Sequence, residues 1–523
     1  MQAILPPSQR LPLFGTATTR AIEQRGAESL AAHALMQRAG EAVARLALAL
    51  APHARRVWIA AGPGNNGGDG LEAAVHLQRW GKQVVVTLAA DAQRLPHDAK
   101  AAWARAQAAG VVIQPAGVPD LGAQDIAIDA LLGIGLSRAP DGLIAALIAH
   151  INGLRCVVLA ADAPSGLNVD TGQAVGSTCV VAQHTLALLT LKPGLFTGAG
   201  RDHAGTVWLE TLGVDTKASA PDAWLASHND LAGLALPRRH AQHKGSFGDV
   251  AVVGGAQGMT GAALLAARAA HAAGAGRVFV DLLDPTPITH DGLRPELMFR
   301  RGWAAGAPSM LAQATVVCGC GGGEAVRDVL PRLLSRVPRL VLDADALNAV
   351  AADPVLQTLL KARQDAGHET VLTPHPLEAA RLLNQKTVQV QSDRLAAAAL
   401  LARAFDCVVV LKGSGTVVAA PHRAPSINST GNAALATAGT GDVLAGWLGG
   451  LWSQADHVGS VGAVDASLEP AHLSSAHLSS ALRAAVAAAF MHGAAADAAG
   501  QFPLRASELI EVMHRLQGSQ AQP

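Results

Sequence analysis

Short runs of β-branched and aliphatic residues recur along this chain with helical segments between them, and that alternation limits the possible folds more than any other feature. The first half carries Val57-Trp58-Ile59-Ala60, Val84-Val85-Val86-Thr87, Ile126-Ala127-Ile128, Val157-Val158-Leu159 and Leu186-Ala187-Leu188-Leu189. The second half carries Val250-Ala251-Val252-Val253, Val278-Phe279-Val280, Val316-Val317, Leu340-Val341-Leu342 and Val408-Val409-Val410-Leu411. Strands separated by helices predict parallel sheets covered on both faces, so an α/β fold is expected in each half.

At 523 residues the chain is too long for one ordinary core, given about 150 residues per domain. Between the two series, Gly213 to His243 lacks apolar periodicity and contains Lys217-Ala-Ser-Ala-Pro221 and Pro237-Arg-Arg-His240. This composition suits a surface linker and places the domains at 1–225 and 226–523. The tandem repeat of Ala-His-Leu-Ser-Ser at 471–475 and 476–480 marks Gln454 to Ser480 as a surface insertion.

Lys plus Arg and Asp plus Glu both number 40, so no net field draws the chain to nucleic acid or to an anionic membrane. No apolar window is long enough to span a bilayer, and Met1 to Phe14 has no leader pattern. A soluble, cytoplasmic protein is expected. The five cysteines are scattered, as suits buried reduced thiols.

Ala61-Gly-Pro-Gly-Asn-Asn-Gly-Gly-Asp-Gly70 falls between a strand and the helical segment Leu71 to Trp80. A turn so stripped of side chains exposes backbone N–H groups at a helix N-terminus, where a phosphate is favoured. Gly62, Gly64 and Gly67 have dinucleotide-type spacing, a weak signal, but Asn65, Asn66, Gly67, Gly68 and Asp69 add amides and a carboxylate that such a turn does not need. Two more loops follow strands: one after Asp129, with Gly133, Ile134, Gly135, Leu136, Ser137, Arg138 and Ala139, and Asp162-Ala-Pro-Ser-Gly-Leu-Asn168. Loops at the carboxyl ends of parallel strands form the ligand crevice. Asn66, Asp129 and Ser165 offer hard oxygens, with a single carboxylate, to a low-charge cation.

Gly64-Asn-Asn-Gly-Gly-Asp69, Asp129-Ala-Leu-Leu-Gly-Ile-Gly135, Asp162-Ala-Pro-Ser-Gly166 and Leu191-Lys-Pro-Gly194 resemble the NAD(P)H-hydrate epimerase domain, and Leu35-Met-Gln-Arg-Ala-Gly40 resembles its N-terminal helix. The resemblance implies a Rossmann-like parallel three-layer sheet. It also implies potassium on Asn66, Asp129 and Ser165, substrate on the glycine loops from Asn65 to Asp69 and Gly133 to Ala139, and Asp162 as acid/base for inversion at C6 of the reduced nicotinamide. Lys192 is a second candidate, against its reading as a lysine at a strand end.

In the second half, Gly439-Thr-Gly-Asp442 leads into the apolar segment Val443 to Leu451. Bare amides at a helix N-terminus stabilise a transferring phosphoryl group, and Asp442 can accept a hydroxyl proton. Lys244-Gly-Ser-Phe-Gly248, Gly254 to Ala262, Gly319-Cys-Gly321, Leu342-Asp-Ala-Asp-Ala-Leu-Asn348, Thr373-Pro-His-Pro376 and Leu411-Lys-Gly-Ser-Gly-Thr416 complete a nucleotide-type site. In this order, from Lys244 to Gly446, they resemble the ribokinase-like NAD(P)H-hydrate dehydratase domain. The resemblance implies that Lys412, Gly413, Ser414, Gly415, Thr416 and Gly441 contact the adenine nucleotide, while Ala262, Gly321, His375 and Asp442 face the hydrated nicotinamide. It further implies Mg2+ and ADP as phosphoryl donor, which the residues alone do not distinguish from ATP. His375, between two prolines, also reads as a residue that orders a loop. Cys320 stands where the family has proline, a change that loosens the turn or exposes a thiol.

The expected function is therefore repair of hydrated NADH and NADPH (NADHX and NADPHX), by an isomerase and a lyase in one chain. The expected partners are these substrates and an adenine nucleotide, with no nucleic acid and no membrane, in a homo-oligomer. The alternatives are a ribokinase-like small-molecule kinase fused to a non-catalytic nucleotide-binding domain, and an NAD-dependent oxidoreductase resting on the glycine spacing alone.

Overall fold

The computed structural model describes residues 1–4, 6–136, 138–232, 238–455, 479–500 and 502–520. The chain forms two compact units, Met1–Leu5 with Pro12–Trp224, and Pro6–Leu11 with Leu225–Pro523. Of the expected insertion, residues 456–478 lie outside the described residues. The stretch expected as a surface linker instead contains the strand Ala223–Leu225, with Ala223 and Leu225 both fully buried. Its alternating Ala-Trp-Leu is too short to register as periodicity.

In the first unit the strand order is Gln2–Ala3, Thr206–Glu210, His184–Leu188, Val157–Ala161, Ile126–Ala130, Arg56–Ala61, Gln83–Leu88, Val112–Gln114. All pairs are parallel except that of Gln2–Ala3. Side chains alternate across the sheet, so Val57, Ile59 and Ala61 enter one core layer and Trp58 and Ala60 the other. Helices on both faces complete three layers, a Rossmann-like arrangement.

The second unit repeats the plan. Its strands run Met298–Phe299, Arg277–Leu282, Asp249–Gly254, Ala314–Cys318, Arg339–Leu342, Glu369–Leu372, Val408–Leu411, Val417–Ala419, Ser426–Ile427. They are parallel as far as Val408–Leu411 and antiparallel beyond it. Val250 and Val252 pack into one layer, Ala251 and Val253 into the other. The helix Thr440–Trp452 lies so close to Thr260–Ala272 that a Cβ on Gly446 would meet the Ala266 carbonyl oxygen at 2.0 Å.

Each sheet changes its winding direction once. The chain leaves Val112–Gln114 at one edge and resumes at Ile126–Ala130, on the far side of Arg56–Ala61; likewise it passes from Met298–Phe299 to Ala314–Cys318, beside Asp249–Gly254. At such points the loops after adjacent strands diverge and leave a crevice at their carboxyl ends.

Candidate active sites

In the first unit the helix begins at Asn65 and runs to Arg79, six residues earlier than the segment read from the sequence. The glycines permit this start because they pack where side chains would collide. A Cβ on Gly62 would meet the Leu131 carbonyl oxygen at 1.7 Å, and one on Gly67 the Gly62 carbonyl oxygen at 2.1 Å. Gly68 abuts Met36 and Ala99 in the same way.

A cavity of about 880 Å³ opens at this switch point. Of the residues expected at the epimerase substrate, Asn65, Asn66, Asp69, Gly133, Ile134, Gly135, Leu136, Asp162 and Lys192 line it. Gly67, Gly68, Arg138 and Ala139 do not; the two glycines serve the packing just described. Ser137 lies outside the described residues.

Asp162 follows the strand Val157–Ala161 with φ of +65°, a left-handed backbone that a non-glycine residue adopts only when its surroundings enforce it. Lys192 Nζ donates to Asp162 Oδ1 at 2.5 Å and to the Leu188 carbonyl at 2.7 Å, and Leu188 N–H donates to the same carboxylate at 3.3 Å. Lys192 is fully buried, so this ion pair is fixed rather than a surface contact. Around it stand carboxyls with altered affinities. Burial, with Asp162 next, pushes Asp69 well above the usual carboxylate range, and the same two causes raise Glu23. A carboxylate in a buried ion pair beside carboxyls of raised proton affinity is the arrangement from which acid/base chemistry draws its acceptor and its donor. Glu23 and Arg20 line the cavity from the helix Thr16–Glu28 and carry no local sequence signal.

Behind the wall, Asp129 and Ser165 are fully buried. Ser165 donates through its backbone N–H (2.8 Å) and hydroxyl (2.6 Å) to Asp129, Leu131 N–H donates at 3.2 Å, and Leu132 N–H donates to Ser165 Oγ at 2.8 Å. Burial nevertheless raises Asp129 to about 6 against these bonds. Asn66 is buried with neither its amide oxygen nor its nitrogen hydrogen-bonded among the described residues. Gly133 brings Asn66 and the catalytic candidate together, since a Cβ there would lie 3.2 Å from Asp162 Oδ2 and 3.3 Å from Asn66 Cβ.

In the second unit Gly439, at φ +89°, turns the chain into Thr440–Trp452 and places Gly441 and Asp442 in its first turn. A Cβ on Gly441 would lie 3.4 Å from Lys412 Nζ, which puts that ammonium beside the helix N-terminus. Lys412 Nζ donates to Asp343 Oδ1 at 2.7 Å, an oxygen that also accepts from Thr373 Oγ1 at 2.8 Å. Burial disfavours the Lys412 charge, but Asp343 and Glu378 outweigh it and hold the ammonium above its ordinary value. Asp442 is raised to about 6, first by burial and then by Asp343. A base with that affinity is ionised at neutral pH yet still basic enough to take a hydroxyl proton in a transition state.

Gly321, at φ +59°, would place a Cβ 3.0 Å from that of Ala262, so these two expected substrate neighbours adjoin. Gly413 and Gly415 have φ of +136° and +60°, and the loop they shape rests on Arg394, which is almost wholly buried and donates to the carbonyls of Leu411 (3.1 Å) and Lys412 (3.2 Å). Thr416 Oγ1 donates to Gly413 O at 3.1 Å, closing the loop, with Ser414 exposed at its tip. His375 caps the helix Pro376–Leu383: its Nδ1 accepts from Leu377 N–H (3.1 Å) and Glu378 N–H (3.3 Å), while Glu378 returns a bond from His375 N–H at 2.7 Å. Its loop-ordering role is thus visible, and Lys412 and Asp343 act on it electrostatically. Cys320, far from exposing a thiol, is fully buried, with its sulfur and the carboxylates of Asp343 and Asp442 within 4.8 Å of one another. Arg394 was not predicted; nothing adjacent in sequence links it to the loop it carries.

An oxygen-lined, acid-rich crevice in one unit, and in the other a lysine and an aspartate at a glycine-opened helix N-terminus, define a two-site enzyme of nucleotide-like metabolites. Residues 32–194 match the family model of the YjeF-related protein N-terminus, and residues 250–515 that of NAD(P)H-hydrate dehydratase. The bifunctional NAD(P)H-hydrate repair enzyme Nnr of Escherichia coli is 35% identical over 93% of this chain and 90% of its own length. That of Coxiella burnetii is 38% identical over 84% and 90%. The crystal structure of an ADP/ATP-dependent NAD(P)H-hydrate dehydratase from Bacillus subtilis, co-crystallised with ATP and Mg2+, is similar at 28% identity and a TM-score of 0.43, over 55% of this chain and 96% of that one. The chain belongs to the family of bifunctional NAD(P)H-hydrate repair enzymes.

Proposed function

We propose that residues 1–225 interconvert the R and S epimers of hydrated NADH and NADPH, and that residues 226–523 dehydrate the S epimer with ADP as phosphoryl donor. The observation that carries this reading is Asp442, a half-buried base with an affinity near 6, set at a helix N-terminus beside Lys412. Asp442 takes the proton of the C6 hydroxyl as that oxygen bonds to the terminal phosphorus of ADP, whose bond to the bridging oxygen breaks to leave AMP. The ring nitrogen's lone pair then expels phosphate from C6, and loss of a proton from C5 restores the dihydronicotinamide. Phosphate leaves far more readily than hydroxide. Lys412 and the N–H groups at Gly441 neutralise the charge that builds on the transferring group. Asp343 would supply a hard oxygen to Mg2+, which would neutralise charge on the transferring phosphoryl group.

In the first unit Asp162, held by Lys192, moves the proton that opens or dehydrates the ring and so allows C6 to invert. Asp69 and Glu23, whose proton affinity burial raises, supply the complementary acid. Potassium fits Asn66, Asp129 and Ser165: the unbonded Asn66 amide oxygen and the buried Asp129 carboxylate both lack what a weakly charged cation would provide. Such an ion would fix the loop after Asp129 and leave Asp162 to the proton.

All five cysteines are buried and free, as suits the reducing cytoplasm. No described helix is long and apolar enough to cross a membrane. Self-association belongs to the same reading and is measured by sedimentation. The direct test supplies the purified S epimer with ADP and Mg2+. Recovery of reduced-nicotinamide absorbance with one phosphate per turnover supports the reading, and no recovery with any adenine nucleotide refutes it.

A further inference from the structure

At the rim of the first unit's cavity stands a cluster that neither proposed reaction uses. His33 precedes the helix Ala34–Leu50 with φ of +65°, and His97 and Asp98 open the helix His97–Ala108. Both histidines address one carboxylate oxygen: Nδ1 of His33 is 2.6 Å from Asp98 Oδ1, and Nδ1 of His97 is 3.3 Å from it. The imidazoles stack with centroids 5.0 Å apart, and the three donor atoms lie within 4.8 Å of one another. All three residues line the cavity.

We propose that His33, His97 and Asp98 bind a divalent transition-metal ion of the zinc class, with its remaining coordination position open to the cavity. Two imidazoles and a carboxylate match the borderline donors that such an ion prefers, and three protein ligands leave a fourth place for water or an outside oxygen. Bonds near 2.1 Å in tetrahedral geometry require donor atoms about 3.4 Å apart. His33 Nδ1 and His97 Nδ1 lie 2.6 and 3.3 Å from Asp98 Oδ1, so a small outward shift suffices, and the His97 side chain, 87% exposed, can turn into place without disturbing the core. A dication at the rim would also offer a ligand position to a phosphate oxygen. The last step alone rests on the dinucleotide reading of the cavity.

The test uses the full, untagged chain, stripped of metal and dialysed against Zn2+ in the presence of excess Mg2+, with bound zinc counted by atomic emission. The parent is expected to retain one equivalent that His33→Ala/His97→Ala loses and that Cys320→Ser/Asp442→Asn keeps. Asp98→Asn, which leaves the histidines in place, should weaken binding at least tenfold, and circular dichroism verifies that each variant is folded. Failure of the parent to hold zinc, or retention of that equivalent by a folded double-histidine variant, overturns the proposal. Because the readout is bound metal, neither result depends on epimerase activity.

Discussion

As the proposed base, Asp442 works only when ionised, and its raised affinity sets where that happens. Dehydration of the S epimer should increase with pH through about 6 and level off above it, as a pH–rate profile would show. Asp442→Asn should lower turnover by about 10²- to 10⁴-fold, the range for losing a positioned base, while the epimers still interconvert. Asp129 gives a prediction of opposite sense. Its folded value of about 6 exceeds the ordinary 3.8, so between those limits the folded state holds a proton that the unfolded state has lost. Stability of the first unit therefore falls as pH rises through that window. A bound potassium ion favours the charged carboxylate and should restore the loss, raising the melting temperature at pH 8 but hardly at pH 4. Equal melting temperatures at pH 8 in potassium and in tetramethylammonium salts would argue against the ion site, and Asn66→Ala should abolish any difference.

The strands were legible because valine-rich runs in a parallel sheet are buried on both faces and leave a continuous apolar signature. Glu369–Leu372, where Glu369 and Thr370 break the run, and the edge strand Val112–Gln114, which ends on a glutamine, were not. The start of Asn65–Arg79 was misplaced for a physical reason. Glycine lowers helix propensity locally, but here it serves contact with the strand ends, which only tertiary structure reveals. Gly62→Ala should therefore cost more than about 4 kcal/mol, because its Cβ would overlap the Leu131 carbonyl. Gly64→Ala, whose Cβ would meet nothing within 4 Å, should be nearly neutral. Thermal unfolding of the two variants distinguishes packing from mere turn chemistry. Arg394→Met should lift the loop 413–416 from its support and raise KM for the nucleotide with less effect on kcat. It also strands buried carbonyls at about 1–3 kcal/mol of stability, which denaturant titration would measure.

Across the whole molecule, most motif residues could be read in sequence because they lie at or just after strand ends, in a crevice whose position the α/β topology dictates. Glu23, Arg20, Arg394 and the His33–His97–Asp98 group could not, since they reach their sites from helices distant in sequence. What the two units have in common is a doubly wound sheet with its loops at a switch point; their side chains differ, a buried ion pair among acids in one and a lysine and an aspartate at a helix N-terminus in the other, and the proposed chemistries differ with them. In the proposed function one chain contains both sites: the dehydratase site is needed for either epimer, and the epimerase site for the R epimer alone. The most direct measurement follows recovery of reduced-nicotinamide absorbance from a mixed R and S pool, with ADP and Mg2+, by the parent and by Asp162→Asn. The parent is predicted to recover both epimers, and the variant to recover the S fraction at the parental rate but the R fraction only as fast as it inverts unaided. Recovery of both fractions by Asp162→Asn at the parental rate would contradict it.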